Sequence, residues 1–195
     1  MARTSKVRRV TGETEIEVEL NIDGTGKHDI QTTIPFLDHM LTQLARHGYF
    51  DLHVRAKGDI EIDFHHTVED MGITLGQAFR EALGDKKGIR RFAQASLPLN
   101  EALAHCVIDI SGRSFFVFNC DLPKSKIGEF DVELVPEFFQ AFSANSGVTL
   151  HFNADSWTNL HHIIEAMFKA FARAMDQACS LDPRSSEVPS TKGKL

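Results

Sequence analysis

The chain has 195 residues, 42% of them hydrophobic and 25% charged, enough for one domain, or two small similar halves, around a substantial core. A net charge of −6 and a pI near 5.9 exclude a protein that grips nucleic acid through a general positive field, so any phosphate binding has to be local. Cys106, Cys120 and Cys179 are odd in number, widely spaced and without a CxxC, which argues against a disulfide framework or a thiolate zinc site and for a reducing, cytoplasmic setting. The basic start MARTSKVRRV runs into TGETEIEVE rather than an apolar segment, and no run of 18 apolar residues follows, so neither a signal peptide nor a membrane span is expected.

Residues 14–22 alternate strictly, with Ile16, Val18, Leu20 and Ile22 on one side, and predict a half-exposed strand closing at Asp23-Gly24. A strand over 28–34 is expected to complete a hairpin with it. Pro35 breaks that pattern, and Phe36, Met40, Leu44 and His47 recur at helical spacing up to Gly48, a candidate C-cap. Two further strands, 50–56 and 60–64, are predicted around Lys57-Gly58-Asp59. A helix then begins at His65-His66 and runs to about Leu83, burying Val68, Met71, Leu75 and Phe79. After the basic connection 85–91 and the segment 92–97, the order repeats. The second half reads as a strand over 103–110 ending at Ser111-Gly112, a partner strand at 115–118 and a looser segment to Asp131. A helix from Pro136, a strand over 148–152 and a long helix from His161 to about Cys179 complete it. Beyond Leu181 the composition turns polar and small, which reads as a tail.

The repeat has a clear phrase, His65-His66-Thr-Val-Glu69 and His161-His162-Ile-Ile-Glu165. Around it, His53 and His151 recur in DLHV and TLHF, and Glu13 to Gly24 matches Glu101 to Gly112 in length. Aligning the helices before DLHV and TLHF sets Glu137 opposite His39. The expected organisation is one domain of two halves, about 7–94 and 95–181, with a tail at 182–195.

At about 100° per residue on a helix, the first His of each phrase shares a face with the Glu while the second His projects sideways, so one phrase can serve two metal ions. Imidazole nitrogen with carboxylate oxygen and no thiolate suits Mn, Fe, Ni, Co or Zn. One phrase supplies two or three ligands at most; His39, Glu137 or a second subunit must complete the shell. His28, His53, His105 and His151 lie in strand-like segments and read as packed or surface histidines. Arg91 and Arg113 read as surface cations, although Arg113, just after a Ser-Gly turn, is placed to fork onto phosphate; Ser190-Thr191-Lys192-Gly193 is phosphate-friendly, yet in an isolated tail disorder is the stronger reading.

Taken together, Thr11-Gly-Glu13-Thr14, Phe36-Leu-Asp38-His39-Met40-Leu41, Gly58-Asp59, Asp63-Phe-His65-His66-Thr67-Val-Glu69-Asp70, Gly88-Ile-Arg90-Arg91, Glu101-Ala-Leu, Ser111-Gly-Arg113, His161-His162-Ile-Ile-Glu165-Ala166 and Ser190-Thr191-Lys192-Gly193 resemble imidazoleglycerol-phosphate dehydratase, along nearly the whole chain. The resemblance implies a duplicated α+β fold of the ribosomal protein S5 domain 2-like kind, each half a sheet backed by two helices. It also implies a homo-oligomer of 24 subunits with active sites between them, and no nucleic-acid or membrane partner. Two Mn²⁺ ions per site would be held by His39, His65, His66, Glu69, His161, His162 and Glu165, with Glu137 at a place the family often gives to His. Glu13 would be the general base; Arg91, Arg113, Ser190, Thr191 and Lys192 would hold the phosphate, the tail ordering against a neighbouring subunit. The implied reaction is dehydration of D-erythro-imidazole-glycerol phosphate to imidazole-acetol phosphate, with metal bound to the substrate imidazole letting the ring take up negative charge. Asn100 stands where the family commonly has Asp. A dinuclear phosphoesterase and a non-catalytic metal-binding shell are the competing readings of the paired phrases.

Overall fold

The computed structural model describes residues 2–195. The first half contains β1 (Thr4–Val10), β2 (Thr14–Asn21), β3 (His28–Gln31), α1 (Pro35–Gly48), β4 (Asp51–Gly58) and α2 (His65–Leu83). The second contains β5 (Phe92–Leu99), β6 (Ala102–Asp109), β7 (Phe115–Asn119), the two-residue strands β8 (Lys126–Ile127) and β9 (Phe130–Asp131), α3 (Leu134–Ser146), β10 (Thr149–Ser156) and α4 (Leu160–Cys179). The sheet orders β1-β2-β4-β3 and β5-β6-β10-β7 are the same arrangement twice, which is the internal duplication expressed in hydrogen bonds.

Alternation places Thr14, Ile16, Val18 and Leu20 of β2 under the helices, and Ala102, Ala104, Cys106 and Ile108 of β6 likewise. The four helices lie between the two sheets, α2 packing on α3 and α1 on α4. Phe139 meets Phe152, Phe168 and Phe171 at centroid distances of 4.6, 4.7 and 5.2 Å, and Phe79 reaches across to Phe142 at 5.5 Å. These rings tie the halves into one core.

Pairing differs from the expected hairpins. Strand β3 runs parallel to β4, across the α1 crossover, and β7 runs parallel to β10. Strand β2 pairs antiparallel with β4 on one side and with β1 on the other, the latter in the stretch TSKVRRV, where only Val7 is buried and periodicity therefore says little. Residues 60–64 form a turn rather than a strand. Asp59 N–H donates to Glu13 O at 3.1 Å and Ile62 N–H to Asp59 O at 2.9 Å, leaving Ile60 and Ile62 exposed. The left-handed C-cap of α1 is Tyr49, at φ 57°, and not Gly48. Gly48 lies in the helix, and the position calls for glycine because a Cβ there would strike the Phe50 ring. Strand β5 belongs whole to the second sheet, so the sheets divide the chain ahead of Phe92 and not within that strand.

Helices α2 and α3 approach closely through Gly72 and Gly76. A Cβ on Gly76 would lie 2.7 Å from Phe142 O and 3.0 Å from Ser146 N, both backbone. Alanine would gain about 1 kcal/mol in helix propensity. Displacing a packed helix backbone costs more, so Gly76→Ala is expected to destabilise by about 1–3 kcal/mol, measured by denaturant unfolding.

Candidate active site

Helix α4 opens at Asn159, whose side-chain oxygen accepts from the N–H groups of His161 and His162 at 2.9 and 3.3 Å and so sets the doublet in the first turn. Helix α1 enters through Pro35, and Asp38 takes hydrogen bonds from the Thr32 N–H and hydroxyl at 2.7 and 2.6 Å. Their packing brings His39 Nε2 and His161 Nε2 each to 3.1 Å from Glu165 Oε2. Lys169 Nζ holds the other oxygen of Glu165 at 2.5 Å. Burial alone would raise the Glu165 pKa, but the hydrogen bonds from Lys169 and His39 outweigh it and hold the group down at about 2. One atom from each of His39, His161 and Glu165 lies within 4.8 Å of the others in a half-buried setting. Two imidazole nitrogens and an ionised carboxylate oxygen at that separation fit a divalent transition metal.

The duplicated counterpart is the α2–α3 pair. Here His65 and Glu137 line one cleft with Asp63, Asp131 and Glu133. Glu69 lies one turn along α2 from His65, on the same face. Glu137 stands here where the other half has His39, and among the described residues His65, Glu69 and Glu137 do not converge as His39, His161 and Glu165 do.

The second His of each doublet turns elsewhere. His66 Nδ1 meets Asp59 Oδ2 at 3.0 Å, while its Nε2 faces Glu13 Oε1 at 3.7 Å. The bond to Asp59 raises the His66 pKa, against a smaller effect of burial. His162 Nδ1 meets Glu101 Oε2 at 2.9 Å, and the other Glu101 oxygen accepts from Asn159 N–H and from Thr158. Those bonds, His162 first, hold the Glu101 carboxyl down at about 2. Glu13 stands on a turn pinned by Thr11, whose hydroxyl accepts from the N–H groups of Glu13 and Thr14 at 3.1 and 3.0 Å. Thr14 in turn donates to buried Asp70, which also receives Arg9 Nε at 2.9 Å. The Glu13 carboxylate itself accepts no hydrogen bond among the described residues, and its side chain is 55% exposed.

All five expected phosphate-binding residues, Arg91, Arg113, Ser190, Thr191 and Lys192, line one cleft of about 840 Å³. Arg91 has φ 72°, a strained value for a side chain of this size. Asp109 takes its Nε and Nη2 at 2.7 and 3.1 Å, and Pro189 O takes Nη1 at 2.8 Å. Arg113 and Lys192 make no ion pair among the described residues, so the cleft keeps free positive charge in an acidic protein. Gly88 N–H donates to Glu187 O at 3.0 Å, and Asp182 N–H to Gly88 O at 2.7 Å, binding residues 182–189 to this chain's own basic connection.

Cleft and metal-type cluster lie at opposite ends of α4. His161 is in its first turn, whereas Ala178 O and Ser180 O accept from Arg91 N–H and Arg90 N–H. At 1.5 Å rise per residue the separation is about 25 Å. Within one chain these two groups of residues cannot touch the same small molecule.

Lys169, Asp59 and Asp70 were not legible as site residues from sequence, although Lys169 follows Glu165 by four positions, the spacing of a helical ion pair. His28, His53, His105 and His151 stay outside the cluster. His105 bridges Ser96 and Asp155 on a sheet surface, and His53 faces Asp29.

Fold and site together define a duplicated α+β protein with a histidine–carboxylate cluster of metal-binding type and a separate anion cleft. A family model for imidazoleglycerol-phosphate dehydratase matches residues 32–175. The imidazoleglycerol-phosphate dehydratase of Geobacter metallireducens is 62% identical over 195 residues, all of both chains, and that of Ruegeria pomeroyi 57% over 99% of this chain and 100% of its own. Among solved structures, the dehydratase of Staphylococcus aureus has a TM-score of 0.83 at 38% identity, covering 92% of this chain and 99% of its own. That of Pyrococcus furiosus, in complex with (S)-C348, has a TM-score of 0.83 at 36% identity, covering 97% and 100%. The chain belongs to the imidazoleglycerol-phosphate dehydratase family and is an enzyme of the hydro-lyase class.

Proposed function

We propose that the chain dehydrates D-erythro-imidazole-glycerol phosphate to imidazole-acetol phosphate in L-histidine biosynthesis, using two Mn²⁺ ions per active site. Family membership supports the reaction, and the observation that carries the metal dependence is the convergence of His39, His161 and Glu165 within 4.8 Å. These three would hold one ion. His65, Glu69 and Glu137 would hold the other, and His66 and His162, turned outward from both groups, are placed to complete shells. A bound ion supplies Lewis-acid stabilisation of negative charge as the substrate loses its proton.

The protein's own groups do the rest. Glu13, exposed and without a hydrogen bond to its carboxylate, accepts the proton from the middle carbon of the glycerol chain; the hydroxyl on the carbon beside the imidazole leaves, proton and hydroxyl together making the water lost, and the enol so formed takes the keto form. The Thr11–Thr14–Asp70 network keeps its turn from drifting. Arg113 and Lys192 neutralise the phosphate, Ser190 and Thr191 offer hydroxyls, and Arg91 is held ready by Asp109. From ring to phosphorus the substrate spans only about 7 Å at roughly 1.5 Å per bond. Against that length, the separation of about 25 Å along α4 supports active sites shared between subunits of a homo-oligomer. For a shell of 24 subunits, sedimentation should give about 24 times the chain mass of 21.8 kDa.

Purified protein loaded with Mn²⁺ should form imidazole-acetol phosphate without releasing inorganic phosphate. Chelation should abolish that activity and fresh Mn²⁺ restore it. Release of phosphate instead, or turnover indifferent to chelation, would overturn the proposal.

Acid should separate metal loss from unfolding. Histidines bind metal as neutral imidazoles, so bound Mn²⁺ should leave as pH falls through roughly 6.5. Glu165, depressed from 4.5 to about 2 in the folded chain, contributes stability that is fully present above pH 4.5 and lost as pH falls toward 2. Between those ranges the protein should be metal-free and folded, as read by metal analysis and circular dichroism on the same samples.

A further inference from the structure

The duplication supplies an internal control for the base. Glu13 and Glu101 occupy equivalent places, each before its half's second strand and beside the second His of a doublet. Asp59 and Asp155 each stand six residues ahead of the first His of its doublet, Asp59 in the turn just after β4 and Asp155 still within β10. The halves use these four carboxylates differently. In the second half Glu101 orients the His162 ring at 2.9 Å and is tied down by Asn159 and Thr158, while Asp155 turns away to His105 at 2.9 Å. In the first half Asp59 orients the His66 ring at 3.0 Å, and Glu13 stays clear of it at 3.7 Å. Asp59 suits that task. Its side chain is 17% exposed, its Oδ1 is buried without a partner, and its N–H donates to Glu13 O at 3.1 Å.

We infer that Asp59 is a positioning residue that takes over the ring-orienting role Glu101 plays in the other half, fixing the His66 tautomer and leaving the Glu13 carboxylate free to receive the substrate proton. The inference rests on the reading of Glu13 as the base. Accepting from Nδ1–H assigns Nε2 as the nitrogen left for a metal, the arrangement by which a carboxylate partner sets a ligating histidine. Without Asp59 the ring swings within reach of Glu13, and the first half comes to resemble the second, where the carboxylate is occupied.

The test is a variant cycle on Mn²⁺-loaded, assembled enzyme. Asp59→Ala should lower kcat about 10–100-fold with KM little changed. Asp59→Asn, whose amide oxygen still accepts from Nδ1–H, should recover most of that loss. Adding Glu13→Gln to Asp59→Ala should cost much less than adding it to the native enzyme, because both changes remove the same free carboxylate. Mn²⁺ per chain, measured by mass spectrometry at saturation, should be unchanged. Asp59→Ser carries the same cycle if Asp59→Ala does not assemble. Losses that multiply in full, or Asp59→Asn as poor as Asp59→Ala, would overturn the role of Asp59 and leave Glu13 as base. Undiminished turnover in Glu13→Gln would overturn both.

Discussion

Glu13→Gln is expected to lower kcat by about 10²–10⁴-fold, the usual contribution of a positioned proton acceptor, while Mn²⁺ content, oligomer size and thermal unfolding stay at native values. Gln is nearly the same shape, and the carboxylate it replaces accepts no hydrogen bond within the described chain, so little is lost structurally. The turn is held by backbone and threonine groups that the substitution leaves alone. KM should change little, since the lost interaction belongs to the transition state. A non-catalytic metal-binding shell would show no kinetic effect at all. The equivalent change in the other half, Glu101→Gln, removes a carboxylate already committed to His162, Thr158 and Asn159. Its effect should fall on the placement of His162 and the retention of metal. Near-native turnover in Glu13→Gln, with the steady-state rate limited by chemistry, would remove Glu13 from the mechanism.

The helices were legible because each carries a broad apolar stripe, and α2 and α4 also open on a polar doublet, the two HHxxE phrases lying within a residue of the observed N-termini. Strand existence was read better than strand pairing. Periodicity in β2 reports which face is buried, but nothing in TSKVRRV or HDIQ tells which of them lies beside it. Residues 60–64 alternate as a strand would, yet they turn because Asp59 is bonded back to Glu13. The duplication did more than periodicity could. It set Glu137 opposite His39, and in the structure Glu137 lines one cleft with His65, without the convergence of ligand atoms that His39 makes with His161 and Glu165. Hidden from the sequence were the distances along α4, the partner each doublet's second histidine would choose, and the different uses of Glu13 and Glu101, because all of these depend on tertiary placement.

Mixed oligomers of two inactive variants should regain activity. His39→Ala removes a nitrogen from the metal-type cluster, and Arg113→Ala with Lys192→Ala strips the free charge from the anion cleft. Each homo-oligomer should fall by about 10²-fold or more, the first through lost metal, the second because binding energy at a remote phosphate also serves the reacting end. The two lesions lie about 25 Å apart in a chain, the length of α4, so no single chain brings both groups to one substrate. When a site takes its cluster from one subunit and its cleft from another, co-expression in equal amounts leaves up to about a quarter of the sites with both parts native, given random placement in a symmetric assembly. Activity should therefore rise more than 10-fold above either homo-oligomer, in particles purified through different tags on the two chains. Activity in such particles equal to the mean of the two parents would mean that cluster and cleft never meet across subunits, and the shared-site reading would fail.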